Sequence, residues 1–296
     1  MQPRFSIVTP SYRASEWLKL CIASVADQGV PLEHIVQDSC SDDGTQEWLP
    51  GDTRVEAIIE RDEGMYDAVN RGFRRSQGEI LAYLNCDEQY LPGALTSVDK
   101  AFQQDPKVDV LFAHALVVDH EGNYICERKV LTPQRYHTLV GGNLSFLTCA
   151  MFIRRRVFDR NDMWFDPDLR AAGDNEWALR LVTKNFAVRV LDVFTSIFTD
   201  TGENLGLSNR SVQEGQQIAS GAPSLIRRIR PAIILHYRLR RLLRGYYRSL
   251  PLSYSIYTKD GPKQRREFRA ANPTFRWHRN AQLQPPEPLL PKHHPK

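Results

Sequence analysis

Through roughly the first 120 positions, short apolar runs alternate with longer amphipathic ones, and polar turns separate them. Phe5–Thr9 reads as a buried strand closed by Pro10. Behind it Trp17, Cys21 and Val25 recur at four-residue spacing with Leu18 and Ile22 beside them, which predicts a helix with Ser15 as its N-cap. His34–Gln37, Val55–Glu60 and Ile80–Leu84 read as further strands. The turn Ser41-Asp42-Asp43-Gly44 opens a short helix through Trp48. Met65, Val69 and Phe73 mark one helix face in a segment ended by Gly78, and another helix covers Ala94–Phe102. A strand at Val108–Phe112 precedes a hairpin of Ala115–Val118 and Tyr124–Lys129 that turns at Glu121-Gly122-Asn123. Strands alternating with helices make βαβ units, so the expected fold is α/β, with a central, mostly parallel sheet flanked by helices. Further on, the clearest periodic element is a helix over Asn175–Thr183, and there is no internal repeat.

Composition narrows the class. The 296 residues are 42% hydrophobic, enough for a core without a disulfide or metal staple. No window approaches the roughly 20 apolar residues of a membrane span. The chain starts directly into a strand without an apolar leader, so a secretory signal is not expected. Cysteines 21, 40, 86, 126 and 149 are scattered with no CxxC, which predicts reduced thiols and a cytoplasmic setting.

The net charge of +4 hides an asymmetry. Residues 1–214 hold 22 basic against 32 acidic residues, whereas residues 215–296 hold 17 against 3. The expected organisation is an acidic body over 1–214, a basic helical extension over 215–259, and a partly disordered Pro-rich, basic tail over 260–296. Between Pro231 and Pro251 a helical wheel puts Leu235, Leu239, Leu242, Leu243, Tyr246 and Leu250 on one face. Arg238, Arg240, Arg241, Arg244 and Arg248 fall on the other. Two arrangements suit that pattern: an anionic membrane surface met by residues 231–250, or a helix packed on the body with its arginines in water. No nucleic-acid recognition motif is present, and no nucleic acid is expected as a partner.

Candidate chemistry sits at the strand ends, where an open parallel sheet binds its ligands. The first strand ends in Thr9-Pro10-Ser11-Tyr12, the second in Asp38-Ser39, the third leads to Asp62-Glu63-Gly64, and the fourth to Asn85-Cys86-Asp87-Glu88. Singly, each acid reads as a solvated loop cap. Gathered on one rim they would need a cation, and hard oxygen ligands without His or Cys favour Mg2+ or Mn2+ over Zn2+. There is no GxGxxG after the first strand, no P-loop and no GxSxG elbow, so a glycine cradle for phosphate and a serine nucleophile are disfavoured. Arg154-Arg155-Arg156 reads as a solvated strand end, with a phosphate contact by one of the three as the alternative.

Five segments carry a resemblance: Ile7–Tyr12, Gln37–Thr45, Glu60–Gly72, Gly78–Glu88 and Ala172–Arg180. In order and spacing they resemble the motifs of family 2 glycosyltransferases, over most of the chain to about residue 210. The resemblance implies a GT-A, Rossmann-like fold, to which the basic helical appendage read from the charge pattern is added. It also implies inverting transfer from a nucleotide-diphosphate sugar, a UDP-sugar, to a glycan or lipid-linked acceptor in polysaccharide assembly. The setting would be the cytoplasm, peripheral to the inner face of the membrane. By the same resemblance Asp38 takes the nucleobase imide, with Thr9, Pro10 and Tyr12 walling the base. Asp62, Gly64, Asp67, Asn70 and Asn85 lie along the nucleotide and donor sugar, Asp87 holds Mn2+ or Mg2+, and Asp174 is the catalytic base. Departures are Asn85 for the first acid of the metal motif, Glu88 for a following Asp, and Gly173 where many relatives carry Glu, which implies either a less finely tuned base or Glu176 as an assisting acid. Two rivals are weaker. A sugar nucleotidyltransferase calls for a Gly-rich N-terminal loop, and a non-catalytic binding protein of this fold calls for loss of the acids.

Overall fold

The computed structural model describes residues 2–140, 145–161, 163–202, 204, 206 and 208–277. Strands β1 (Phe5–Ser11), β2 (Leu32–Asp38), β3 (Glu56–Ile59) and β4 (Ile80–Tyr83) run parallel in the order β3-β2-β1-β4, with helices α1 (Ser15–Ala26), α2 (Thr45–Trp48) and α3 (Met65–Arg75) in the crossovers. Then follow β5 (Gln89–Tyr90), α4 (Ala94–Gln104), β6 (Val110–Val118), β7 (Tyr124–Arg128) and α5 (Arg135–Val140). Next come β8 (Met151–Arg154), α6 (Arg156–Asn161), α7 (Gly173–Thr183) and β9 (Val188–Thr199). The sheet continues β4-β8-β6-β9-β5. Here β8 is antiparallel to β4 and β6, β9 parallel to β6, and β5 antiparallel to β9. The expected α/β sheet is therefore present, parallel in its first half and mixed in its second.

Local chemistry explains the details. The expected strand end at Thr9 extends to Ser11 because β4 has already stopped beside Pro10, so its missing N–H deprives no ladder partner. The Pro10 carbonyl instead accepts the Cys86 thiol at 3.2 Å. Ser15 is not the cap of α1. Ala14 holds that position, and the Asp43 carboxylate accepts the Ser15 N–H at 2.8 Å. The two segments expected at Val108–Phe112 and Ala115–Val118 are one strand, β6, and the hairpin to β7 turns through Gly122 at φ +90°.

The core lies on both faces of the parallel half. Phe5, Ile7, Ile80 and Ala82 meet Cys21 and Val25 of α1 and Leu95 and Phe102 of α4. Val8, Ile35, Leu81 and Tyr83 meet Tyr66, Val69 and Phe73 of α3 and Trp177 of α7. The arginines at the end of β8 are not a solvated strand end. Arg154 is buried and donates to the Val108 and Phe102 carbonyls at 2.9 and 2.8 Å, while Arg156 pairs with Asp109 at 2.7 Å.

The basic extension departs further from expectation. It comprises α8 (Asn209–Ser220), α9 (Ser224–Arg228), α10 (Arg230–Leu243) and a hairpin of β10 (Leu252–Thr258) and β11 (Gly261–Ala270). The helix expected to Leu250 stops early because Gly245 takes φ +69° just past its end. The stretch expected as helix end and tail forms strands because Leu252, Tyr254 and Ile256 alternate, and this face packs on Leu116, Val118 and Ile197. Residues 278–296, which hold the Pro-rich run, lie outside the described residues.

Of the two expected arrangements, a helix packed on the body with its arginines in water is not observed. The helix rests on the body through part of its basic face: Arg241 is buried and donates to the Lys129 carbonyl at 3.0 Å, and Arg240 reaches the Thr132 carbonyl at 3.3 Å. Ile233 packs with Leu139 and Val140 of α5, and Tyr246 is buried with its hydroxyl on Asp192 at 3.3 Å. The leucines face outward instead. Leu235, Leu239, Leu242, Leu243 and Leu250 are 67, 47, 60, 78 and 72% exposed. The body's surface carbonyls select the arginines as donors, and that choice turns the apolar stripe to solvent.

Candidate active site

The site is built on the turns that follow β1, β2 and β4. Asp38 closes β2 and is fully buried. Its Oδ1 accepts the hydroxyls of Ser11 and Ser41 at 2.9 and 2.7 Å, and its Oδ2 accepts the Ser41 N–H at 2.9 Å. It thereby ties the end of β1 to the turn after β2, beside exposed Tyr12, whose ring lies 5.1 Å from the Arg13 guanidinium carbon. Asp62 and Gly64 start α3. Asp62 accepts the Gly64 N–H at 2.9 Å, and burial pushes its carboxyl above the usual range. Gly64 sits at φ +121°, and its bare Cα lets the Arg170 guanidinium lie against it.

Three residues expected at the ligand are engaged by the protein's own groups. Thr9 is fully buried, with its hydroxyl on His34 Nε2 at 2.9 Å, because strand alternation points it at the α1 side of the core. Asn70 spends both ends of its amide on the backbone of Phe165, at 2.7 and 3.0 Å. Asp67 accepts the Glu63 N–H at 3.0 Å and pairs with Arg71 at 2.8 Å, which makes it a clasp on the first turn of α3.

At the end of β4, Asn85 and Asp87 are half-buried and Glu88 is buried. Burial pushes the Asp87 carboxyl up to about 6. Burial, joined by the charge of Asp87, pushes Glu88 up to about 8. Glu88 Oε2 accepts the Asn85 N–H at 2.8 Å, while Oε1 is buried without a partner. Among the described residues no Lys, Arg or His pairs with Asp87.

Asp174 is the second residue of α7. Its Oδ1 accepts the Asn175 N–H at 2.8 Å, and its own N–H donates to the Tyr66 hydroxyl at 3.1 Å. Burial pushes its carboxyl up to about 6, against the lowering effect of the Asn175 amide and the Tyr66 hydroxyl. Glu176, expected as an assisting acid, has its carboxylate held by Arg180 at two points, 2.7 and 2.9 Å. Tyr66 and Glu214 are the residues sequence reasoning missed. Tyr66 lies inside a resembling segment but reads as a core aromatic, and Glu214 sits 42 residues from the Ala172 amide it accepts, with no spacing signal.

The carboxylates do not collect into one metal site. Among the described residues no three His, Cys, Asp or Glu side chains come together to hold an ion, because Asp38, Asp62 and Asp67 are each taken up by local hydrogen bonds. A cavity of about 470 Å³ between α1 and the β10–β11 hairpin has Lys19, Asp27, Arg54, Tyr257 and Lys263 in its wall and none of the strand-end residues.

Residues 6–161, just over half of the chain, match the model of Glycosyl transferase family 2. The chain belongs to this family. Over 95 residues it is 35% identical to TuaG of Bacillus subtilis (strain 168), a protein named for teichuronic acid biosynthesis, covering 30% of this chain and 38% of TuaG. The family 2 chain spans 19 to 63% of the length of the first curated relatives it matches. Its fold is shared with S. aureus TarS 1–349 solved in complex with UDP, at TM-score 0.56 and 17% identity over 81% of this chain and 72% of that one. It is shared also with the mannosyltransferase PcManGT of Pyrobaculum calidifontis in complex with GDP-Man and Mn2+, at TM-score 0.54 and 18% identity over 84 and 77%.

A divalent ion, implied for this family 2 fold, fits the residues in a restricted way. Asp87 is a carboxylate drawn partly out of water with no protein cation beside it, which is what a hard ion's ligand requires. It is one ligand, so substrate phosphate oxygens and water would supply the others, the usual manner of Mg2+ binding.

Proposed function

We propose that this chain moves a sugar from a UDP-sugar to a hydroxyl of a glycan or lipid-linked acceptor in polysaccharide assembly, inverting the anomeric centre. Asp174 accepts the proton of the acceptor hydroxyl, that oxygen bonds to the anomeric carbon, and the bond to the UDP oxygen breaks with its electron pair on the diphosphate. Pro10 and Tyr12 flank the base, and Asp38 receives the uracil imide N–H by exchanging its Ser11 bond. Asp62, Gly64 and Asn85 border the ribose, diphosphate and donor sugar. A Mn2+ or Mg2+ ion on Asp87 would neutralise the departing diphosphate. Complexes of the two structural neighbours with UDP and with GDP-Man and Mn2+ support this choice of donor and ion.

The observation that carries the reading is Asp174. It is a carboxylate held near pH 6 by burial, on the first turn of a helix packed against the parallel half of a family 2 fold. A general base is most effective when its pKa lies near the working pH. Because the base must be ionised, turnover rises as pH climbs through about 6.

The acceptor end is proposed to meet an anionic membrane surface. The outward leucines of α10 stand among exposed Arg228, Arg238, Arg244 and Arg248, and residues 215–259 contain no acid. Among the described residues no helix is long and apolar enough to cross a membrane.

Asp174→Asn keeps the size of the side chain and removes the base. Turnover should fall on the order of 10²–10⁴-fold with UDP affinity unchanged. Wild-type turnover in this variant would refute the assignment.

A further inference from the structure

The sequence pattern closes the catalytic unit at residue 214, yet Glu214, buried on α8, reaches back to the segment that leads into α7. Its Oε1 accepts the N–H of Arg170, and its Oε2 accepts the N–H groups of Ala171 and Ala172, all at 2.9 Å. Three successive amides converging on one carboxylate form an anion-binding nest. The nest stands at the start of α7, where Ala172 is the N-cap and makes no side-chain capping bond. The first N–H groups of a helix have no partner within it, and a negative charge there also suits the helix dipole. Glu214 is thus a cap supplied by another helix.

One residue separates that nest from Asp174, and it leaves little slack. Gly173 is buried with its Cα against the Tyr66 ring, and Tyr66 in turn accepts the Asp174 N–H. The position of residues 170–172 is therefore passed on to the Asp174 carboxylate.

We propose that Glu214 is a positioning residue for Asp174: its carboxylate fixes the 170–172 segment and so sets where the base stands. The inference rests on Asp174 being the base of the proposed reaction. Glu214 also acts through its charge, which adds to burial in raising the Asp174 carboxyl. Among the described residues, the neutral phenols of Tyr66 on α3 and Tyr83 on β4 also act on Asp174. Arg210 pairs with Glu214 at 2.9 Å and is 57% exposed, so it damps that charge from the solvent side.

Two variants of the full chain test this, with release of UDP from UDP-glucose and UDP-N-acetylglucosamine as probes, from about pH 5 to about pH 9. Glu214→Gln should lower kcat on the order of 10-fold, short of the 10²-fold that a 1 Å misplacement can cost, with the donor KM within about twofold. The acid limb of its kcat profile should move to lower pH, because a negative charge near the base is gone. Arg210→Gln should move that limb to higher pH, and as an exposed change it decides the matter even where Glu214→Gln fails to fold. The same two shifts can be read without turnover from the ¹³C-carboxylate titration of Asp174. A limb or titration that stays in place in both variants overturns the proposal, as does a Glu214→Gln loss carried by KM alone. An active Asp174→Asn enzyme overturns both readings, whereas a dead one with unmoved limbs overturns only this one.

Discussion

Replacing Gly173 by Ala adds one carbon at the tightest contact near the proposed base. A Cβ there would stand 2.6 Å from Tyr66 Cε2, 2.8 Å from Cδ2 and 2.9 Å from Cζ. Two carbons prefer about 3.5–4.0 Å, so roughly 1 Å must be found. Tyr66 has nowhere to go. It is 2% exposed and stacks on Phe165 at 5.5 Å, and Phe165 is held by Asn70 on its N–H and its carbonyl and by Trp177 at 5.5 Å on the ring. The start of α7 must shift instead, carrying Asp174 with it and stretching the 3.1 Å bond to the Tyr66 hydroxyl. Overpacking of this kind costs about 1–3 kcal/mol, which for a chain of this size lowers Tm by roughly 2–5 °C. A displacement of about 1 Å at the reacting centre can cost on the order of 10²-fold in turnover. Thermal unfolding and steady-state UDP release measure the two effects separately. The expected result is a lower Tm and a much lower kcat at nearly constant donor KM. Wild-type Tm and kcat together would show that Tyr66 yields freely and that this contact does not place the base.

Further outcomes concern the donor, the ion and the membrane. Asp87→Ala should make UDP affinity, followed by calorimetry, independent of Mn2+, and full wild-type turnover in EDTA would overturn the ion's place on Asp87. The wild-type protein should bind UDP more tightly than CDP, since cytosine lacks the imide N–H, and Asp38→Ala should shrink that preference; equal affinities in the wild type contradict the role of Asp38. The triple change Leu239→Ser, Leu242→Ser and Leu243→Ser removes exposed side chains, so Tm should hold. Co-sedimentation with anionic vesicles should weaken in that variant, and in the wild type it should fall with added salt, each basic residue near the surface being worth about 1 kcal/mol. A wild-type chain that stays in the supernatant at low salt, or whose leucine variant changes oligomeric state on size exclusion instead, refutes the membrane surface.

Much of the first half of this molecule was legible in the chain. The buried runs of β1, β2 and β4, the apolar faces of α1, α3 and α4, and the polar residues at each strand end follow from periodicities that depend on near neighbours alone. That locality is why the ends of β1, β2 and β4 could be named as the expected ligand edge before any coordinates, whereas the roles expected of Asp87 and Asp174 came from the family resemblance. What periodicity cannot carry is who satisfies whom across the fold. Asp38, Asp67 and Asn70 look alike as polar site residues, but whether each is free for a ligand depends on Ser11, Arg71 and Phe165, brought up by other elements. The wheel of the basic helix shows two faces and not which one is buried, and the carbonyls of Lys129 and Thr132 chose the arginines. Strand β9, which inserts between β6 and β5, and the hairpin of β10 and β11 are non-local pairings whose partners lie far along the chain. Glu214 is the clearest case: an ordinary acid on a polar helix, it becomes a helix cap only because folding brings three amides from 42 to 44 residues away within 2.9 Å. The sequence determines the inventory and its local spacing, and the tertiary structure decides which of those groups spend their hydrogen bonds on the protein and which keep them for a ligand.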